Sequence, residues 1–509
     1  MSQGLPYLSL MVWAPLAGAL LIMACPSAWV RGIQRIALFF AGLPLVLAAS
    51  LYSRSLLQPQ DGFRWVEDLV WFEPLNIHYK LGADGLSLPM LLLSGIVCLT
   101  AAWISLGIDH RHREYFALAL TAMTGVLGVF ATMDLFFLIL FYEMASIPMF
   151  FLVGIWGSDK SGDGRPIHRE QAAMKLLIYL QLGGGLVLLG ILALVMLASQ
   201  QIGGLTFDIE VLRGVELTQQ AQAMLFFVFL IGFGIEAGLV PFHTWLPDGH
   251  SSAPTALSML LAGVLLKMGG YGIIRVGVEL CPDGVAPWVP MMAMMGTLNV
   301  LYGGLCALRQ SDIKVMIAYS SVSHMGMVFL GLSALQAPGA AALLGLTGAT
   351  FQMFSHGILT ALLFALAGLV YSITHTRNLK TWGGLASKMP FLASFFALGA
   401  MGSLGLPGMT GFVAELMVFL GAWQAHPGLT ILAICGLIIT TTYMVRALSF
   451  GFFGPLNPRL HHLRDAEPSE RFPLLILSMT ALLAGFFPVL ITQVTNPTLQ
   501  EIVNRVQSV

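Results

Sequence analysis

Gly234-Ile235-Glu236-Ala237-Gly238-Leu239-Val240-Pro241 is the stretch on which the fold turns. Two glycines, a proline and a carboxylate stand inside an apolar run that extends from about residue 222 to 243. Proline removes a backbone donor and glycine loosens a helix, so the run predicts an interrupted helix. A charge at the middle of a bilayer costs at least ~2.5–3.5 kcal/mol on insertion scales, so such a group faces a bundle interior or water. A second stretch, Gly405-Leu406-Pro407-Gly408-Met409-Thr410-Gly411, has the same character. Membrane helices often carry Gly and Pro, which is the bland alternative. Paired interruptions in two halves of a chain instead point to a transport site in a repeat fold.

The whole composition supports a membrane reading. The 509 residues are 57% hydrophobic and 10% charged, with a mean hydropathy of +0.83. Soluble domains carry about 25% charged residues. The net charge of −1 excludes a basic nucleic-acid binder. Cys25, Cys98, Cys281, Cys306 and Cys435 are scattered without a C-x-x-C, so no zinc or iron–sulfur site is suggested. No P-loop or convincing dinucleotide fingerprint is present, and Gly183-Gly184-Gly185 is read as close helix packing. Redox chemistry is therefore expected in other polypeptides.

A span needs about 20 apolar residues. Fourteen runs qualify, near 5–25, 33–54, 85–107, 115–132, 134–156, 172–199, 222–243, 254–277, 287–308, 313–333, 340–372, 390–424, 428–453 and 471–493. The first has no positive n-region and is expected to remain as a span. The expected class is an all-α polytopic membrane protein with a single domain, residues 1–509. Alternate loops hold fifteen Lys and Arg, from Arg31 through Arg165, Lys314 and Arg459 to Arg471; the others hold five, Arg54, Arg64, Lys80, Arg213 and Arg505. The richer side should be cytoplasmic, with both termini outside. The two breaks lie in runs 7 and 12, five spans apart. An odd offset implies opposite orientation, so runs 4–8 (115–277) and 9–13 (287–453) are expected to be inverted repeats, flanked by 1–114 and 454–509.

Few ionisable residues remain inside the runs. Glu143, in Phe141-Tyr142-Glu143-Met144, is a candidate proton carrier. Lys267, in Leu265-Leu266-Lys267-Met268-Gly269, is deep in run 8, and a lysine held away from water can release the proton that a relay needs. Glu415 follows the second break and could connect to the outer face. Lys175 could serve the relay or snorkel to the surface. His324 and His356 stand among hydroxyls on neighbouring runs and could shuttle protons. Each also has a structural alternative, an ion pair or a satisfied core histidine, and for Arg275 and Arg446 that alternative is preferred.

Several stretches together resemble the antiporter-like subunits of the complex I family, in the branch of subunit M and the photosynthetic chain 4. They are Gly82-Ala83-Asp84-Gly85-Leu86-Ser87; the Glu143 segment; Pro241-Phe242-His243-Thr244-Trp245-Leu246-Pro247-Asp248 with His250; Ala253-Pro254-Thr255; Leu261 through Lys267; Asp312-Ile313-Lys314 with Ile317 through Gly326; and Gly405 through Glu415. The resemblance implies fourteen helices, with helices 7 and 12 broken. It also implies one proton-translocating module driven by quinone reduction elsewhere. By position, Glu143, Lys267 and Glu415 match the family's helix 5 glutamate, helix 8 lysine and helix 12 glutamate. No cofactor or metal is implied in this chain; NAD(P)H or ferredoxin, iron–sulfur clusters and quinone would belong to partner subunits. Partners would be other membrane-arm subunits, antiporter-like ones included, in a bacterial cytoplasmic membrane or a thylakoid.

One position departs from the pattern. The family has a lysine five residues before the first proline of the V-P-x-H-x-W-L-P-D motif; here that position is Glu236. Two carboxylates in a low dielectric cannot both ionise cheaply, so one keeps its proton or a cation bridges them. Lys175 is expected to take over pairing with Glu143 while Glu236 holds a proton. A carbon-dioxide-hydrating variant of the photosynthetic complex, an energy-converting hydrogenase and a multisubunit cation/proton antiporter remain alternative homes for this fold.

Overall fold

A computed structural model describes residues 5–58, 62–160, 168–460 and 463–508. Arg165 and the Arg459 side chain, both counted in the charge bias, lie outside the described residues. The helices are α1 (Tyr7–Ala24), α2 (Val30–Leu57), α3 (Ser87–Ile104), α4 (His112–Ala131), α5 (Leu135–Trp156), α6 (Arg169–Ile202), α7 (Ile209–Leu212), α8 (Gln219–Glu236), α9 (Trp245–Ser252), α10 (Thr255–Leu260), α11 (Leu266–Gly272), α12 (Val289–Arg309), α13 (Ile313–Leu332), α14 (Ala340–Thr374), α15 (Pro390–Ser403), α16 (Thr410–Ala425), α17 (Pro427–Ala447), α18 (Pro468–Phe486) and α19 (Val489–Gln507). Among the described residues, thirteen helices are long and apolar enough to cross a membrane. The two shorter apolar helices α15 and α16 divide the twelfth predicted run between them. All fourteen runs are thus helical, and the all-α architecture holds for the spans.

Local chemistry sets the helix starts. Asp134 accepts from the Phe136 and Phe137 amides at the head of α5, and Asp312 accepts from Lys314 N at the head of α13. Such caps satisfy amides that have no intrahelical partner. A capping box between Glu467 and Glu470 starts α18. Helices α10 and α11 are joined by a π turn at Leu261–Leu265 and continue through a second at Ile273–Val278, making one buried rod, Thr255–Val278.

Both expected breaks are present. Helix α8 ends at Glu236, and Gly238 follows with φ +75°, a conformation that favours glycine. The freed backbone groups are met by Asn299 of α12, which accepts from Val240 N at 2.8 Å and donates to Gly238 O at 3.2 Å. Non-helical backbone at membrane depth is tolerated when protein groups satisfy it in this way. The second break runs from Leu404 to Met409, with Gly405 at φ +73° and Gly408 at φ +90°.

Two elements differ from the sequence reading. The segment between α2 and α3, read as a loop, forms an antiparallel hairpin of β1 (Arg64–Phe72) and β2 (Ile77–Ala83). Its Trp, Val and Phe residues favour strand. The last run, expected over 471–493, is two helices: α18 stops at Phe486, and the tail folds as α19. Leu499, Ile502, Val503 and Val506 of α19 are buried, whereas Gln500, Glu501 and Asn504 are exposed. Apolar composition continues across Pro488, which hides the division in a sequence.

Loop contacts fall into two separate sets. Arg377 donates to Ser251 O and Lys160 O, Trp156 to His110 O, and Trp103 to Ser469 O. On the opposite side, Lys80 meets Asp208 and Glu210, Glu67 accepts from the Leu8 and Ser9 amides, Arg505 donates to Arg213 O, and Gln507 to Ala337 O. Among the described residues, the second set ties the hairpin to the start of α1, and its contacts run through the α19 tail to Arg213 and Ala337.

Candidate functional site

The centre of the molecule holds a continuous row of titratable side chains. Lys267, just beyond the first π turn, is fully buried. Its ammonium is 2.7 Å from His356 Nδ1 and also donates to Ala262 O. His356, on α14, stacks on His324 of α13 with ring centroids 5.4 Å apart and planes at 21°. His324 Nε2 is 4.0 Å from Glu415 Oε1 on α16. Lys267, His356, His324 and Glu415 therefore form one chain of neighbours, an order set by the packing of α13 against α14.

The second break shapes the far end of that row. Because α15 stops at Ser403, the Ser403 carbonyl is available to His324 Nε2 at 2.9 Å. His324 Nδ1 faces Ser320 O at 2.7 Å. A neutral imidazole has one N–H and satisfies one carbonyl; the imidazolium satisfies both. Gly405 makes room for the acid, since a Cβ there would collide with Glu415 Oε2.

Two groups missed by the sequence reading lie on the charge-rich side of Lys267. His250 is fully buried, stacks on Phe364 at 4.6 Å and 15°, and has no hydrogen-bond partner for either ring nitrogen. Lys314, counted only as a loop charge, is buried and donates to Ala253 O at 2.8 Å. The hydroxyls of Ser251, Ser252 and Ser355 are also buried without a protein partner. Ordered water characteristically serves such groups. The available sequence signal was that His250 and Lys314 both fall in the quoted motifs.

The first half is arranged differently. Glu143 is partly buried; its Oε2 accepts from Gln181 Nε2 at 2.5 Å and Ser146 Oγ at 3.3 Å. Glu236 is 1% exposed, and neither carboxyl oxygen has a hydrogen-bond partner. It feels the charge of Glu143, and the Tyr142 hydroxyl, which donates to Leu180 O, is also within interaction range of its carboxyl without meeting hydrogen-bond geometry. Lys175 does not join them. Its ammonium bonds Asp248 Oδ2 at 2.7 Å, and both side chains are well exposed. The expected Lys175–Glu143 pair is thus replaced by a Lys175–Asp248 pair, because a lysine one turn into α6 reaches water and the α9 carboxylate together. Gly183 and Gly184 do pack helices closely: a Cβ would come within 2.8 Å of Gly232 O and of the Tyr142 ring, respectively.

Arg275 belongs to a separate, fully paired cluster at the hairpin end of the rod. It donates to Asp84 at 2.6 and 2.7 Å and to Glu279 at 2.8 Å, and Arg213 also bonds Glu279. Burial alone pushes Asp84 up, but the Arg275 guanidinium outweighs it and holds the carboxyl below its ordinary 3.8. Arg446 donates to Gln310 O at the loop face. Both arginines thus keep their structural reading. Among the described residues, no group of three or more His, Cys, Asp or Glu side chains is placed to hold a metal ion.

Comparison with known proteins matches residues 132–440 to the family described as NADH:quinone oxidoreductase/Mrp antiporter, TM. The chain is 36% identical to NAD(P)H-quinone oxidoreductase chain 4 1 of Synechococcus sp. (strain JA-2-3B'a(2-13)), over 99% of this chain and 94% of that protein. It is 35% identical to the chloroplastic NAD(P)H-quinone oxidoreductase chain 4 of Chlorokybus atmophyticus, over 100% and 98%. Among solved structures, a chain of respiratory complex I from Thermus thermophilus superposes with a TM-score of 0.85 at 26% identity, over 98% of this chain and 99% of that one. A chain of the Mrp complex from Dietzia sp. DQ12-45-1b shares the fold, with a TM-score of 0.85 at 22% identity over 98% and 97%.

Proposed function

The chain belongs to the NADH:quinone oxidoreductase/Mrp antiporter membrane family, and from that premise we propose that it is a proton-translocating, antiporter-like subunit of a complex I-type NAD(P)H- or ferredoxin-quinone oxidoreductase, in the chain 4 branch. The observation that carries the reading is the unbroken row Lys267–His356–His324–Glu415. Protons enter from the charge-rich face past Lys314 and His250, which lie between that face and Lys267. Lys267 passes a proton to His356, the stacked rings hand it to His324, and Glu415 carries it toward the hairpin face. Each group accepts and releases protons without leaving its helix. Glu143 and Glu236 modulate the charge that Lys267 experiences from the first half. Redox cofactors and quinone belong to partner subunits, and the chain's membrane-arm partners include other antiporter-like subunits.

In this reading residues 115–277 and 287–453 are inverted repeats within one membrane domain. The charge-rich loops face the cytoplasm, and the termini and hairpin face outside, or the lumen in a thylakoid. Full-length similarity at 36% to chain 4 proteins favours this home over an Mrp-type antiporter. Glu236, with no base beside it, is the feature that fits a specialised complex such as a carbon-dioxide-hydrating variant.

The test is quinone-driven proton uptake by the purified complex in liposomes. Lys267→Ala should lower uptake by about 10²-fold, the low end of what positioned proton-transfer groups contribute. Wild-type uptake in an assembled Lys267→Ala complex would end the proposal.

A further inference from the structure

We propose that Glu143 and Glu236 together hold one exchangeable monovalent cation, a proton or a sodium ion, in the seam between α5, α6 and α8. This rests on the proton-relay reading and adds to it a second ion site in the first half of the chain.

The seam is made by glycine. Gly183 packs against Gly232 O and the Ile235 side chain, next in sequence to Glu236. A Cβ at Gly184 would lie 3.3 Å from Glu143 Oε1, so no side chain intervenes there. Glu143 projects into this seam from the middle of α5, and Glu236 ends α8. Glu236 is the observation that points to a ligand. It is 1% exposed, neither oxygen receives a hydrogen bond of good geometry although the Tyr142 hydroxyl lies beside it, and Glu143 is within its electrostatic reach.

Among the described residues, no tethered cation is free to balance the two acids. Helices α5 and α8 carry no Lys or Arg. On α6, Lys175 is bound to Asp248 and Arg169 is 3.6 Å from Asp159. On the rod, Lys267 is bound to His356 and Ala262 O, and Arg275 to Asp84 and Glu279. On α9, His250 stacks on Phe364; just ahead of that helix, His243 faces Tyr302 at 5.0 Å. The Tyr142 hydroxyl lies beside Glu236 and donates to Leu180 O, and it brings no positive charge to the site.

Two carboxylates in one low-dielectric seam cannot both stay charged and unbalanced. The balancing charge must enter from outside the chain, and because nothing anchors it covalently, it exchanges. One cation suffices, since Glu143 has Gln181, Ser146 and partial exposure to support its own charge, whereas Glu236 has none of these. Hard carboxylate and phenol oxygens suit a proton or sodium and not a soft metal.

Infrared difference spectra of the reconstituted complex test the site directly. Wild type and Glu236→Gln are compared in H2O and D2O, with sodium chloride or choline chloride. A protonated-carboxyl band that shifts in D2O and disappears in Glu236→Gln identifies the ion as a proton. A carboxylate band that responds to sodium in wild type and not in Glu236→Gln identifies it as sodium. Glu236→Lys, which supplies a tethered ammonium, should abolish either signal. The proposal fails if Glu236→Gln removes only a carboxylate band indifferent to both D2O and sodium. Proton uptake in a parallel Lys267→Ala preparation separates this failure from that of the relay: if uptake is lost there while the indifferent band is seen, the relay reading stands and only the cation site falls.

Discussion

Two sets of buried charge lie on the same rod, Thr255–Val278, and they are built on opposite plans. At its hairpin end, Arg275 and Arg213 meet Asp84 and Glu279, so each cation has an acid and each acid a cation. At its middle, Lys267 meets an imidazole and a carbonyl, and the next acid in the row, Glu415, lies beyond two histidines. The difference is in what a proton can do. A carboxylate locked to guanidinium has its charge fixed, and a guanidinium cannot give its proton up. Lysine next to histidine leaves the proton two neighbouring sites, each able to bind it and to let it go. Complete pairing makes scaffold; incomplete pairing makes a path.

Removing one partner from the paired set should do the most damage. Arg275→Met leaves Asp84 and Glu279 buried with too little compensation, a loss of ~3–5 kcal/mol. Little folded protein should be recovered from membranes, and a yield and melting temperature equal to wild type would dissolve the contrast. In the row, the expected loss is of transport and not of fold. His324→Gln keeps one donor and one acceptor but cannot bridge Ser320 O and Ser403 O as a cation. Proton uptake should drop by at least about tenfold, with the assembled complex still purified in normal amount.

Gly405→Ala tests whether the break serves the row. Alanine at φ +73° costs roughly 1–3 kcal/mol and intrudes on the Glu415 carboxyl, so uptake should fall along with a modest loss of thermal stability. Normal uptake would detach the break from the acid. A smaller effect separates the two sets by pH. Asp84 has its folded value depressed, so the stability it contributes is present above 3.8 and lost only as pH falls through its lower folded value. Hydrogen exchange at the Leu86 and Ser87 amides, which Asp84 accepts, should show the same protection at pH 5 and pH 8, whereas uptake varies over that range. Least of all, Lys175→Ala removes an exposed pair worth at most about 1 kcal/mol. Uptake within twofold of wild type is expected; a large loss would return Lys175 to the relay.

The row was legible in the sequence because a charge inside an apolar run is costly and therefore conspicuous. Glu143, Lys267 and Glu415 stood out for that reason, and Gly and Pro marked both breaks. What the sequence hid were choices among partners. Lys175 was the nearest lysine in sequence to Glu143, and only the position of α9 gives it Asp248 instead, 73 residues away. His250 and Lys314 were obscured by their nearness to loops, although the fold buries both. Arg275 looked like a helix-end residue because its partner Asp84 is 191 positions distant. The hairpin was lost among polar neighbours that broke the strand pattern, and α19 was lost in the apolar continuity across Pro488.

Helix α19 also sets an order of events. The Gly85 amide, one residue from Asp84, donates to Thr498 Oγ1 at 3.0 Å across 413 positions of sequence. Tyr52 donates to Leu490 O, and Thr347 to Asn496 Oδ1. At synthesis rates of about 5–20 residues per second, the Gly85 partner emerges on the order of 20–80 s after Gly85 itself. The hairpin-side rim is therefore the last part of the molecule to close. A chain stalled before residue 489 carries the spans up to α18 but leaves three earlier segments, at Tyr52, Gly85 and Thr347, without these partners.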